Sequence, residues 1–392
     1  MKDRQAEFII VGGGIMGASL AFHLARRKVG RVLLMERRFL GAGSTGKTGA
    51  IIRQHYTHKL TTRMAMQGLQ FFQSFEDRVG GPRVFTQSGM IVVVPRNDEK
   101  RLEAVLQMQQ QEGVDVRKIS SDDLREMNPD SHLCSDEIAV YEPEAGYVEA
   151  MQALASFAEA ARRDGAEILQ PVEVKGINIR ESRVTGVKTS EGDFSSKHVI
   201  IAAGPWAARV AQTAGFHLPV DPCRAQVALF RRPATASSNV SVYCDFANNI
   251  YFKPTWGEMM HVGSLGSEEA DAKVDPDHCP EIPKESFLSY CHARISNRIP
   301  FMGSSPFRGG YSAMYSITPD WHPLLGAVPG IEGLYCAAGF SGHGFKFSPV
   351  VGRLMSELVV DGQTTLDIAP LRLQRFDESQ PITTPYGYGV MG

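Results

Sequence analysis

The stretch Phe8-Ile9-Ile10-Val11-Gly12-Gly13-Gly14-Ile15-Met16-Gly17 decides the fold. An apolar run ends in Gly-x-Gly-x-x-Gly, and the spacing predicts a helix through Leu20 and Leu24 to the basic Arg26-Arg27-Lys28. A second apolar run, Val32-Leu33-Leu34-Met35, closes on Glu36. Strand, glycine turn, helix, strand and acid, in that order, make a dinucleotide-binding unit. Gly12 permits the tight turn, Gly14 lets a pyrophosphate approach the backbone, and Gly17 lets helix and strand pack closely. The helix start, with Ile15 and Met16, supplies N–H donors and a positive dipole end for phosphates. Glu36 can accept both ribose hydroxyls and would repel a 2′-phosphate. A mere tight turn leaves Glu36 unexplained. Arg37, next to that acid, is counted with the cofactor-contacting residues.

The chain of 392 residues has room for two or three domains. Its 41 basic and 43 acidic residues leave a net charge of -2, so no nucleic-acid footprint is visible. No apolar run approaches the ~20 residues of a membrane helix. The first residues are polar and precede only a short strand, so no signal peptide and a cytoplasmic location are expected. Cysteines at 134, 223, 244, 279, 291 and 336 include no C-x-x-C. His278-Cys279 and Cys291-His292 fit no common zinc spacing, so no metal and reduced, structural cysteines are expected.

Further along, the pattern predicts helices over Thr62–Glu76, from a cap at Asn97 to about Glu112, from Ser121 to before Pro129, and over Glu149–Arg163, Pro283–Ile295 and Pro349–Val360. Strands are expected at Met90–Val94, at Ile168–Val174, in a meander to Thr189, and in several runs between 223 and 265. Short buried strands ending in glycine recur at 8–14, 198–204 and 333–339. They imply an α/β nucleotide domain, Rossmann-like and built from discontinuous segments, with a mixed-sheet α+β substrate domain inserted between them.

Gly41-Ala42-Gly43-Ser44-Thr45-Gly46-Lys47-Thr48 satisfies the P-loop pattern letter for letter. A P-loop needs a buried strand leading directly into the turn and a helix after it. Here Glu36 to Leu40 intervene. The better reading is a second phosphate-binding turn of the same dinucleotide site, using N–H groups and hydroxyls of Gly43, Ser44, Thr45, Lys47, Thr48 and Gly49.

Gly12 to Gly17 with Glu36, then Gly43-Ser44-Thr45, Ile51-Ile52-Arg53 and Gly204-Pro205-Trp206, resemble D-amino-acid-oxidase-type flavoproteins. Met314-Tyr315-Ser316-Ile317-Thr318-Pro319-Asp320 and Gly339-Phe340-Ser341-Gly342-His343-Gly344-Phe345-Lys346-Phe347-Ser348 are similar to the sarcosine oxidase branch. Leu371 to Phe376 is similar to the β subunits of heterotetrameric sarcosine oxidases and proline dehydrogenases. The resemblance implies FAD and oxidation of an amine carbon by hydride transfer to the flavin. It implies an FAD-binding domain of 1–80, 147–220 and 323–375, a substrate domain of 81–146 and 221–322, and a tail of 376–392.

By the same resemblance, Arg53 and Lys346 bind the substrate carboxylate, a chemistry suited to a guanidinium fork beside an ammonium. Gly342, His343, Gly344 and Phe345 line the flavin, Val172 meets the adenine, and Ala203, Gly204 and Trp206 form the strand end beside the dinucleotide. Tyr251 and Tyr315 shape the pocket. Two departures bear on chemistry. Positions that carry covalent flavin links in relatives are Ala313 and Lys47 here, so FAD is expected to be non-covalent. Oxidases of this branch place a lysine over the flavin where this chain has His261. Either O2 or another acceptor, a quinone, a partner flavin or an electron-transfer protein, takes the electrons. The expected substrate is a small α-amino or N-alkyl amino acid such as sarcosine or proline. The alternatives are a β-type subunit active only with a partner subunit in a larger amine dehydrogenase, and a flavin-binding assembly protein without turnover.

Overall fold

The computed structural model describes residues 4–234, 236, 240–266 and 273–383; residues 384–392 of the expected tail lie outside them. The three glycine-ended strands meet in one sheet. Phe8–Val11 lies between Val32–Met35 and His198–Ile201, parallel to both. Leu334–Ala338 and Glu167–Leu169 extend the sheet in parallel, and Leu324–Ala327 closes one edge antiparallel. The central strands Phe8–Val11 and Val32–Met35 are unbroken apolar runs because both faces are covered. Helices Ile15–Arg26, Ala150–Arg163 and Gly344–Asp361 cover one face. The meander Val174–Ser195 and helix Ala207–Thr213 cover the other.

A second sheet of eight strands runs from Phe307–Ile317 at one edge through Asp221–Arg231, Met259–Ser264, Ile250–Thr255, Val242–Asp245, Met90–Pro95 and Glu137–Glu142 to Arg117–Ile119. Alternation along a strand separates its two faces. Phe252, Met260, Val262 and Ala228 pack against helix Glu285–Arg298. On the other face the register places Tyr251, Gly263, Val227 and Tyr311 in one row, with Lys253 opposite His261 in the next. Arg298, 1% exposed, pins helix to sheet by pairing with Asp245 at 2.7 Å and Glu137 at 2.8 Å.

Several boundaries differ from expectation. The helix expected over Thr62–Glu76 spans Lys59–Gln73, because the His58 imidazole accepts the Leu60 N–H and caps it earlier. A separate helix, Phe75–Val79, follows. The helix expected from Asn97 runs Glu99–Gln111 behind a short turn, and the one expected at Pro283–Ile295 runs Glu285–Arg298. The strand expected at Ile168–Val174 is split: Glu167–Leu169 pairs in the large sheet and Val174 begins the meander, because Pro171 has no N–H to give and the Val172 N–H turns to the Glu36 carbonyl. The closing helix starts at Gly344, five residues before Pro349. Pro349 leaves the Phe345 carbonyl without its helical donor, and the Ser348 hydroxyl donates to it at 2.8 Å.

Candidate active site

A cavity of about 680 Å³ is lined by residues of both large sheets and of the glycine segments. At the nucleotide unit, Gly12 has φ +117, and a Cβ on Gly17 would stand 1.9 Å from the Gly12 oxygen. Gly17 therefore does not line the cavity; it lets the helix sit on the turn. Helix Ile15–Arg26 has no side-chain cap at Gly14, and the Ile15 N–H donates to Thr45 Oγ1 at 3.1 Å. Glu36 accepts from the Gly13 N–H at 2.8 Å and from the Arg38 N–H at 2.8 Å, which holds the acid against the turn. Arg37 lies 4.2 Å over the Trp206 ring and pairs with Asp277 at 2.8 Å. Trp206 Nε1 donates to the same Asp277 at 2.8 Å. Val172, Ala203 and Gly204 line this end as well.

The segment Gly41–Gly49 forms one tight turn, Ser44–Lys47, and Thr48 is extended. The next element is the strand Ile51–Ile52, so the P-loop pattern lacks the helix that must start at the turn for such a loop to cradle phosphate. Ser44 Oγ donates to the Met314 carbonyl at 2.8 Å, and the Lys47 ammonium donates to the Ser312 carbonyl at 3.1 Å and pairs with Glu281 at 3.2 Å. These contacts fasten the turn to strand Phe307–Ile317. Gly43, Thr45, Thr48 and Gly49 also line the cavity.

At the far end two cations share the wall. Arg53 is 4% exposed and Lys346 is 6% exposed. The Arg53 guanidinium donates to the His55 carbonyl and lies 4.1 Å over the Tyr56 ring. Lys346 Nζ stands 5.9 Å from the same ring and donates to the His343 carbonyl at 3.4 Å. Buried Glu142 accepts the Gln54 N–H at 2.6 Å and the His55 N–H at 3.0 Å, which fastens the segment carrying Arg53. Burial pushes the Glu142 carboxyl up to about 7, against the pull of those bonds and of Arg53. Burial, with the Arg53 guanidinium second, holds Lys346 well below the ordinary ammonium range. Two buried cations on one cavity wall suit a carboxylate ligand.

Tyr251 and Tyr315 line the cavity beside this pair, with Gly342, Gly344 and Phe345. Two expected site residues stand behind the wall. The His261 ring lies under Gly49, 3% exposed, and burial pushes it down to about 3. The His343 ring packs 5.6 Å from Tyr56, while its backbone starts helix Gly344–Asp361 without a side-chain cap. Sequence reasoning missed Tyr56, Glu142 and Cys244. Cys244 lines the cavity, opposite Tyr251 across a strand pair. Strand alternation points Cys244 inward, but no local signal marks Glu142 or Tyr56. Among the described residues, no group of three or more His, Cys, Asp or Glu side chains could hold a metal, and no helix is long and apolar enough to cross a membrane.

The family profile described as FAD dependent oxidoreductase, DAO, matches residues 7–358. The chain is 30% identical over 385 residues to human peroxisomal sarcosine oxidase, covering 94% of this chain and 95% of that protein. The crystal structure of L-proline dehydrogenase from P. horikoshii superposes with a TM-score of 0.89 at 26% identity, over 97% of this chain and all of that one. Glycine oxidase from Geobacillus kaustophilus superposes with a TM-score of 0.83 at 25% identity, over 95% of this chain and 99% of that one.

Proposed function

The chain belongs to the DAO family of FAD-dependent oxidoreductases, and on that premise we propose that it oxidises the C–N bond of a small amino acid or N-alkyl amino acid. The residues present fit the cofactor. The uncapped start of helix Ile15–Arg26 offers amides to a pyrophosphate, Glu36 is held at the turn for a ribose, and Gly204 has open space where a Cβ would stand. FAD, when bound, supplies the hydride acceptor. Everything else falls to the chain.

The observation that carries this reading is the convergence of buried Arg53 and Lys346 on one wall of that cavity. A guanidinium fork and an ammonium grip a carboxylate and thereby orient the adjacent C–H. Tyr56 keeps the Arg53 plane in place, and Glu142 holds the backbone beneath it. The amine must be neutral when hydride leaves, and the Tyr251 and Tyr315 hydroxyls on the cavity wall are suited to serve it. Sarcosine, proline and related amino acids fit this description, in keeping with the names of the relatives.

Ala313 at the cavity and Lys47 tied to Glu281 and Ser312 support non-covalent FAD, which acid should release intact. His261 is held neutral, which supports slow reaction with O2 and use of another acceptor. Six free cysteines support a reducing compartment, the cytoplasm. The test is anaerobic titration of the purified flavoprotein with N-methyl, cyclic and simple α-amino acids and with amines lacking a carboxylate. Flavin bleaching by one of the amino acids is expected. A carboxylate-free amine as the best reductant would overturn the clamp.

A further inference from the structure

Among the described residues lining the cavity there is no imidazole, and of its carboxylates Glu36 is held on the glycine turn and Asp277 on Arg37 and Trp206, while Glu142 faces the backbone of residues 54 and 55. A row of phenols and one imidazole leads away from it instead. Tyr315 hydrogen-bonds to Tyr251, and both line the cavity. Tyr251 Oη stands 3.5 Å from His261 Nε2. On the other side of the same ring, His261 Nδ1 stands 3.5 Å from Tyr311 Oη. Tyr311 does not line the cavity, and it is partly exposed near the sheet edge.

We propose that Tyr251, His261 and Tyr311, with Tyr315 bonded to the first, form a proton relay from the substrate cavity to the protein surface. The inference rests on the amine-oxidation reading above. Its atoms balance without any change of oxidation state. The ammonium N–H bond breaks, its electron pair stays on nitrogen, and the proton joins Tyr251 Oη. The Tyr251 hydroxyl proton passes to His261 Nε2, the Nδ1 proton passes to Tyr311 Oη, and Tyr311 releases its own proton to water. Each link has one donor and one acceptor, so the imidazole changes tautomer and no group keeps a charge.

The packing around the row supports this use. A Cβ on Gly263 would stand 2.3 Å from the Tyr251 ring, and one on Gly49 would stand 3.4 Å from His261 Nε2. Two strand or loop positions thus have no side chain where the relay crosses them. Burial first, and then Lys253, opposite His261 on the neighbouring strand, disfavour an imidazolium. Tyr315 and Tyr311 both act on Tyr251 from this face, while the Cys291 thiol acts on it from the helix side of the sheet. A relay that stays neutral suits this setting, whereas a base that stores the proton does not.

The test uses Tyr311→Phe and His261→Gln in the FAD-loaded protein, with whichever amine bleaches the parent, so that the carboxylate clamp can fail without touching this test. At a pH below the ammonium pKa both variants should reduce flavin at least about tenfold more slowly than the parent. Above it, where free amine binds directly, rates should converge, and FAD content should equal the parent's throughout. Nitrogen-15 NMR of the labelled, FAD-loaded protein without substrate provides a readout without turnover. The signal that disappears in His261→Gln should stay that of a neutral imidazole from pH 5 to 8 and should shift in Tyr251→Phe and Tyr311→Phe. Parental pH profiles of flavin reduction in both variants, or a His261 signal unmoved by both phenylalanine changes, would overturn the relay while leaving the clamp standing.

Discussion

Replacing Lys346 with Met should weaken the proposed substrate site and strengthen the fold. Lys346 is 6% exposed and shares its wall with Arg53. Its depressed pKa means that the folded state disfavours the ammonium, first through burial and second through Arg53. A methionine of similar length removes that cost and keeps the packing against Phe347 and Tyr56, which the ammonium faces at 5.9 Å each. Hydrophobic replacement of buried ionic groups is often stabilising by about 1–4 kcal/mol. Loss of a charge-assisted contact to a carboxylate costs about 1.5–3 kcal/mol, roughly ten- to a hundred-fold in kred/Kd. The sign in pH follows from the same shift. As pH nears the ordinary lysine range from below, the unfolded chain holds a proton that the folded chain has lost, so the empty parent gains stability with rising pH. A carboxylate ligand favours the ammonium, so its affinity should fall as pH rises through the Lys346 pKa. Thermal melts of apoprotein across pH, together with titration of a non-oxidisable carboxylate ligand, check both. Lys346→Met should melt higher at neutral pH and bind the ligand weakly with little dependence on pH. A lower melting temperature combined with parental ligand affinity would show instead that Lys346 is a packing residue with no charge facing the ligand.

Glu36→Ala should leave the fold intact and weaken FAD binding by about 1.5–3 kcal/mol, roughly ten- to a hundred-fold in Kd, read by flavin fluorescence. Retention of parental affinity would show that the acid serves only the turn. Arg298→Met should destabilise by about 3–5 kcal/mol in urea unfolding, since it leaves Asp245 and Glu137 buried without their cation. FAD affinity measured well below the unfolding midpoint should not change.

The nucleotide unit was legible because its information is local. A strand, a glycine with φ +117, a helix and an acid lie within one short stretch, and each residue type answers to its own backbone position. The same holds for the helix expected from Ser121, which starts there, behind a capping box made by Ser120 and Asp123. Capping by a histidine and a proline tolerated five residues into a helix were not legible, because each depends on a side chain found nearby only after folding. Arg53 and Lys346 were candidates through motif resemblance alone. Their meeting on one wall, over the ring of Tyr56, is a product of long-range packing. Glu142 contacts residues 54 and 55 from a strand almost ninety positions away, and no period or motif encodes that pairing. Tyr251, His261 and Tyr311 read as separate strand residues until the sheet register sets them on one face. The dinucleotide turn, the helix that follows and the acid are thus written in local sequence, because backbone sterics and short-range hydrogen bonds act within a few residues. Which distant side chains share the cavity wall, which stand behind it, and how burial moves their protons emerge only on folding, because desolvation and charge pairing depend on neighbours that the chain order does not specify.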